Sequence, residues 1–165
     1  MLGAIMQGAK RMGLPSDRLA GILYPPECLV TKDQPMSANF GLEHVEFVPV
    51  LKSGEGTIRE VEFLKRAKTL EGDFGLCDAE VLIMDQANLP GNLRGLNIYF
   101  AAAEIMEPYS DPFEVCLSIP YMAFSEQRQA WVIRFHPVKI FPRSGQIVVM
   151  ASIFHQNSLV PKFKA

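Results

Sequence analysis

The sequence predicts an α+β fold, with a helical and irregular N-terminal part over residues 1–41 and a sheet-forming body over residues 42–165. Prolines and glycines interrupt the first part, whereas the second part carries several short runs rich in branched and aromatic residues. Turn-forming clusters separate these runs by a few residues only, and short connections join antiparallel strands. We therefore expect a largely antiparallel sheet of about five or six strands, able to curve into a half-barrel.

Length and composition indicate a single folded domain spanning residues 1–165. Hydrophobic residues make up 48% of the chain and charged residues 21%, which excludes intrinsic disorder. Three cysteines stand far apart, at Cys28, Cys77 and Cys116. This number and spacing argue against a disulfide framework and a structural zinc site, so we predict a reducing, cytoplasmic location with no cofactor and no bound metal.

The N-terminal part is predicted to hold one short amphipathic helix over residues 2–12, ended by Pro15. The basic pair Lys10 and Arg11 follows the apolar residues, whereas a secretory signal carries its charge first. No window approaches the roughly 18 apolar residues that cross a bilayer, so no membrane association is expected. Residues 14–41 are predicted to form a loop.

The body begins with a predicted strand over residues 42–52, where apolar and polar residues alternate. Thr57 and Glu60 then match a capping box, which predicts a helix over residues 58–70. Apolar residues recur at a spacing of three, Glu62 and Arg66 stand four apart, and Gly72 follows the end. A hairpin is the competing interpretation of this segment.

The remaining strands are predicted from runs of branched and aromatic residues at 78–85, 96–103, 113–119, 130–141 and 146–155. The gap between the last two runs ends in Gly145 and predicts a hairpin. Alternation along residues 130–141 divides the side chains between two faces. Trp131, Ile133 and Phe135 share one face, and the other holds Val132, Arg134, His136 and Val138.

Charge is strongly segregated along the chain. Residues 127–165 contain six basic residues and no acidic one, whereas residues 54–126 contain thirteen acidic and five basic residues. Segregation of charge of this kind usually reflects an electrostatic interaction, either within the fold or with another molecule. The two segments could pair inside the fold, meet between subunits of a homo-oligomer, or leave the basic segment for an external anion.

The basic segment is the candidate working surface because cations alternate there with aromatic residues. We predict that Trp131, Arg134, His136, Arg128 and Lys139 bind a ligand, with the first three at the centre. An arginine on a partly apolar strand face can hold a carboxylate or a phosphate in two parallel bonds. Nucleic acid is not the expected partner, because a sequence pI of about 5.9 gives little general attraction to phosphate.

Catalytic motifs are missing from the sequence. The three histidines, His44, His136 and His155, show no metal-binding spacing, and no nucleophile elbow or nucleotide-binding loop is found. The sequence therefore favours a non-catalytic binding or interaction module for an anionic small ligand or a protein partner. The alternative is a small-molecule hydrolase, lyase or isomerase with a histidine–carboxylate pair in a curved-sheet cavity. A single-stranded nucleic-acid binder is the third hypothesis.

Overall fold

The computed structural model describes residues 29–34, 37–108, 115–141, 148–149 and 153–165. The helix predicted at residues 2–12 lies outside these ranges, as does Cys28. Two short 3₁₀ turns, Gln86–Asn88 and Gly91–Leu93, accompany the strands and helices of the described residues. In chain order these are β1 (Leu29–Lys32), β2 (Val45–Pro49), β3 (Thr57–Arg59), α1 (Glu60–Thr69), α2 (Leu76–Met84), β4 (Asn97–Tyr99), β5 (Glu104–Pro108), β6 (Val115–Ser125), β7 (Ala130–Phe141), β8 (Val148–Val149), β9 (Ile153–His155) and β10 (Ser158–Phe163).

A curled, mostly antiparallel sheet forms the centre of the described structure, in agreement with the predicted α+β class. Eight strands build it, in the order β1-β5-β6-β4-β10-β2, with β7 paired to β6 and β8 paired to β7. Strands β10 and β4 pair in parallel, and β3 and β9 form a separate two-stranded sheet. The number of strands in the main sheet therefore exceeds the predicted five or six, because the predicted strands do not include β1, β5 and β10.

Each face of the sheet is covered by one helix. Ile98, Met122 and Leu159 pack on the same side as the buried residues of α2, and we call this side the α2 face. Tyr99 and Val160, their immediate neighbours on β4 and β10, pack with the buried residues of α1, and we call that side the α1 face. Side chains alternate across a strand, so both faces can be apolar only where both are covered.

Helix α1 differs from the prediction at its start and agrees with it afterwards. The predicted capping box is wrong, because Thr57 lies in β3 and pairs with β9, and the helix begins at Glu60. The predicted pair is present, with Arg66 Nε donating to Glu62 Oε1 at 2.6 Å. The chain leaves the helix through a Schellman motif, in which Glu71 has a φ of 57° and the Gly72 N–H bonds the carbonyl of Ala67.

Helix α2 replaces the strand predicted at residues 78–85. Its buried residues Leu76, Ala79, Leu82 and Ile83 follow helical spacing. In a helix these residues lie on one side and can pack together against the core. Asp78 favours this start, because its carboxylate accepts the backbone N–H of the N-cap residue at 2.9 Å. The run is short and apolar, and periodicity alone does not separate a buried strand from a buried helix in such a run.

Other predicted strands are confirmed with altered bounds. The strand predicted at 130–141 is β7, and the strand predicted at 42–52 shortens to β2. The run at 113–119 extends into the eleven-residue β6, and the run at 96–103 shortens to β4. The run at 146–155 divides between β8 and β9, which belong to different sheets. The loop predicted at 14–41 is wrong at its end, because β1 pairs there with β5.

Candidate functional site

Strand β7 carries most of the predicted site residues, and its pairing with β6 decides where they point. Arg134 lies opposite Tyr121, and His136 lies opposite Ile119, so both belong to the α1 face as the alternation predicted. Lys139 follows His136 by three residues and would normally point to the other face. An irregularity in the pairing places it opposite Leu117, another residue of the α1 face.

We call Tyr121, Arg134, His136 and Lys139 the basic strand face. The pairing irregularity inserts one residue of β7 between the partners of Leu117 and Ser118. This extra residue shifts the alternation by one, so Lys139 lies on the α1 face. Three of the five residues predicted to bind a ligand are therefore brought to one face. Arg128 and Trp131 are not.

Trp131 lies in the core of the α2 face and not at the surface. Its side chain is 5% exposed and packs edge-on against the ring of Phe124, with centroids 5.8 Å apart. Its backbone N–H donates to Gln86 Oε1 at 2.9 Å. The expected central role of Trp131 in a binding surface conflicts with this burial, because a ligand on the basic strand face lies on the other side of the sheet.

Arg128 occupies the turn that joins β6 to β7 and is exposed. Its backbone N–H donates to Ser125 Oγ at 3.3 Å. The turn lies beyond the paired part of the hairpin, where Ser125 meets Ala130, so Arg128 stands at the end of the hairpin and outside the basic strand face.

His136 is held at the inner side of the basic strand face by aromatic rings. Its ring stacks on Phe154 at a centroid distance of 4.3 Å and an angle of 20°. Its Nδ1 lies 3.2 Å from the hydroxyl oxygen of Tyr99. Burial and the nearby His155 lower the pKa of His136, so its imidazole is mostly neutral at pH 7.

Tyr99 and Tyr121 continue the aromatic cluster towards Arg134. Their rings stack with centroids 5.0 Å apart, and Tyr99 is buried while Tyr121 is half-buried. Burial and the neighbouring Tyr121 raise the pKa of Tyr99 well above its ordinary value. The Tyr99 phenol therefore stays protonated and can donate a hydrogen bond to His136 Nδ1.

Arg134 is exposed, and no carboxylate of the described residues lies within ion-pair distance of it. The ion pairs formed within the described ranges join Arg66 to Glu55 and Glu62, and His44 also contacts Glu43. The guanidinium is thus available on the surface. Its nearest neighbour across the strands is Tyr121.

Other cations of the basic segment do lie near acids. Lys139 is close enough to Glu60 to lower its pKa, although burial raises that pKa overall. Lys162 lies opposite Glu46 on neighbouring strands. Lys164 Nζ donates to the carbonyl of Glu43 at 2.9 Å. None of these three lysines is within ion-pair distance of a carboxylate, and of the three acids only Glu60 belongs to residues 54–126. Within the described residues, the acidic segment therefore compensates the basic segment only weakly.

Of the three histidines, His155 lies near His136. His44 Nδ1 lies 3.1 Å from Glu43 Oε1 on the exposed surface. Within the described ranges no group of three or more histidine, cysteine, aspartate or glutamate side chains is placed to hold a metal ion. Asp78 is 0% exposed and accepts the backbone N–H groups of Ser37 and Gly75, so its role is structural.

Two cavities lie on either side of α1. The larger is an open cleft with a volume of about 480 Å³, lined by residues 49–52 and by Glu62, Lys65, Arg66, Thr69 and Leu70. The smaller, of about 270 Å³, is lined by residues that include Lys32, Asp33, Lys68 and Asp73. Neither cavity contains a histidine. Sequence reasoning missed the larger one, although the helical spacing of residues 62, 65, 66, 69 and 70 marks one face of α1.

Comparison with known protein families, with curated proteins and with solved structures gives no match. Among the described residues, neither helix has the length and apolar character needed to cross a bilayer.

Proposed function

We propose that the chain is a non-catalytic binding module that holds an anionic small molecule on the basic strand face. The observation that carries this proposal is the exposed guanidinium of Arg134, which has no carboxylate partner among the described residues and stands on the same face as His136 and Lys139. An arginine in this position offers two parallel N–H donors to a carboxylate or a phosphate.

The residues near Arg134 on this face also favour an anionic ligand. His136 is two residues away on the same face, at a separation of about 7 Å along the strand, which suits one small anionic group. If the Tyr99 hydroxyl donates to His136 Nδ1, the proton of the neutral imidazole is on Nε2, and that N–H is a second donor. Lys139 adds a second positive charge further along the face.

The proposal is tested by titrating the protein with inorganic phosphate and with succinate while recording amide chemical shifts. We expect saturable shifts at Tyr121, Arg134 and His136, which Arg134→Glu abolishes. Arg128→Glu is the matched control, since it reverses an exposed charge on the same hairpin but outside the face. The proposal fails if neither anion shifts these amides, or if Arg134→Glu binds as the wild-type protein does.

Self-association is the second part of the proposal. Arg134 has no carboxylate partner among the described residues, and residues 54–126 carry thirteen acidic against five basic residues, so the acids of one copy can bind the cation of another. Light scattering coupled to size exclusion is expected to give a mass of at least twice 18.4 kDa at low salt, falling as salt is added. A mass of 18.4 kDa at every salt concentration contradicts it. The same surface fits another protein partner with an acidic patch.

Two other functions remain predictions. A small-molecule enzyme needs a histidine and a carboxylate in one cavity, and neither cavity described above supplies a histidine. The Tyr99–His136 pair is the acid–base pair such an enzyme would use instead. A single-stranded nucleic-acid binder would show steep salt dependence with oligonucleotides, and the burial of Trp131 removes one expected stacking platform.

The proposed location is the cytoplasm, without association with a membrane. The support for it is the odd number and wide spacing of the cysteines. Microscopy of the tagged full chain tests this directly, and a signal confined to a membrane or to the medium contradicts it.

A further inference from the structure

The larger cavity beside α1 has the form of a ligand site, and it lies apart from the basic strand face. Its volume of about 480 Å³ falls within the range of small-molecule pockets. Its apolar lining consists of the exposed Pro49, with the buried Val50 and Leu51 beside it. Leu70 adds apolar surface at the end of α1.

Arg66 lines one side of this cleft and binds the two acidic groups next to it. Its guanidinium binds the carboxylates of Glu55 and Glu62 and donates to the carbonyl of Val50 at 3.4 Å. Bonds from Arg66 hold the pKa of both carboxyl groups below the ordinary glutamate value. Glu62 is the acidic side chain among the lining residues. Arg66 shares one positive charge between Glu62 and Glu55, so one negative charge is left, and it is attracted by the nearby Lys52 and Lys65.

Two ammonium groups remain at the rim. Lys52 and Lys65 both line the cleft, and in the part of the chain that the structure describes neither forms an ion pair. Three cations, Lys52, Lys65 and Arg66, therefore face two carboxylates, Glu55 and Glu62, and the rim of the cleft has an excess of one positive charge beside an apolar wall. An anionic ligand with an apolar body fits such a cleft. Burial of its apolar body is favourable, and its charged group stays at the solvated rim.

We propose that this cleft binds a small amphipathic anion, such as a medium-chain carboxylate, with its apolar chain against the wall formed by Pro49, Val50 and Leu70 and its carboxylate between Lys52 and Lys65. The site is independent of the basic strand face, since it shares no residue with it. A cationic or uncharged amphiphile gains the apolar contact but not the attraction at the rim, so the cleft distinguishes these ligands by charge.

The experiment is a calorimetric titration with decanoate below its micellar concentration, compared with decanol and decyltrimethylammonium. We expect saturable one-to-one binding of decanoate, with weaker binding of decanol and none of the cation. Lys52→Glu and Lys65→Glu should each raise the dissociation constant by about tenfold, because an attraction becomes a repulsion. Lys68→Glu is the matched control: it lies on the same helix, is exposed, and faces the smaller cavity.

A second variant tests the location without changing charge. Thr69 is an exposed lining residue, and Thr69→Trp places an indole in the cleft without disturbing the core. This variant should abolish decanoate binding, whereas Arg134→Glu should leave it unchanged. The inference is overturned if decanoate does not bind, if decyltrimethylammonium binds equally well, or if Lys65→Glu and Thr69→Trp bind decanoate like the wild-type protein.

Discussion

The hydroxyl oxygen of Tyr99 and Nδ1 of His136 lie 3.2 Å apart on neighbouring parts of the sheet, inside a cluster of aromatic rings. The contact couples the inner wall of the basic strand face to the core around α1. The imidazole of His136 is less easily protonated in this position, since burial and the nearby His155 lower its pKa.

The first prediction concerns stability near neutral pH. The unfolded chain protonates His136 near pH 6.5, whereas the folded protein does so only at lower pH. Between these values the unfolded state binds more protons, so the free energy of unfolding should fall as the pH falls below about 6.5. Thermal unfolding from pH 7.5 to 5.5 measures this dependence.

His136→Gln removes the titrating ring and keeps a hydrogen-bonding side chain near Tyr99. Its melting temperature should depend less on pH over the same range. His44→Gln is the control, because that imidazole is exposed and lies outside the core. Equal pH dependence in the wild-type protein and in His136→Gln would show that His136 does not contribute.

The second prediction concerns acid. Hydrogen bonds from Arg66 lower the pKa of Glu55 from 4.5 to about 2. The stabilising effect is complete above the unfolded value of 4.5 and is lost as the pH falls towards 2. Glu55→Gln should therefore flatten the decline in melting temperature over this range, and Glu126→Gln, on the exposed hairpin turn, should not. A decline as steep in Glu55→Gln as in the wild-type protein contradicts the assignment.

The third prediction concerns the end of α1. A Cβ atom at Gly72 would lie 2.5 Å from Val160 Cγ2, closer than real Cβ contacts allow. Gly72→Ala should destabilise the fold by about 2 kcal/mol, because the buried strand β10 has to shift. Gly56→Ala is the matched control, since nothing lies within 4 Å of its added carbon. Chemical denaturation measures both, and two equal midpoints would refute the close approach.

The fourth prediction concerns the start of α2. Asp78 accepts backbone N–H groups from Ser37 and Gly75, each at 2.9 Å, within the buried interior. Asp78→Ala leaves both donors without an acceptor and should cost about 3 kcal/mol of stability. Asp85→Ala, at the other end of the same helix, removes only an exposed contact to Asn88 and should cost much less. Urea denaturation of the two variants decides between them.

Local pattern predicted β7 well. Its bounds, and the distribution of its side chains between two faces as far as Val138, follow from a regular alternation of residue types. The Glu62–Arg66 pair was also predictable, because residues four apart on a helix are neighbours. In these cases the contacts that decide the structure are made by residues close together in the chain.

Prediction failed where distant contacts decide. Residues 78–85 became a helix because their apolar side chains have to reach the same core as Trp131. Thr57 became part of a strand because β9, nearly a hundred residues later, pairs with it. The strand β10 was missed, and its parallel pairing with β4 depends on chain segments about sixty residues apart. Intrinsic preferences are weak, and tertiary contacts override them.

Residue type and local alternation were enough to predict the α+β class, the face that Arg134 and His136 share, and the segregation of charge. Packing of the whole chain was needed to reveal the burial of Trp131, the lack of a carboxylate beside Arg134 among the described residues, and the cleft beside Lys52 and Lys65. Burial, ion pairing and cavity shape are properties of segments packed together, and they arise from contacts that no single stretch of chain contains.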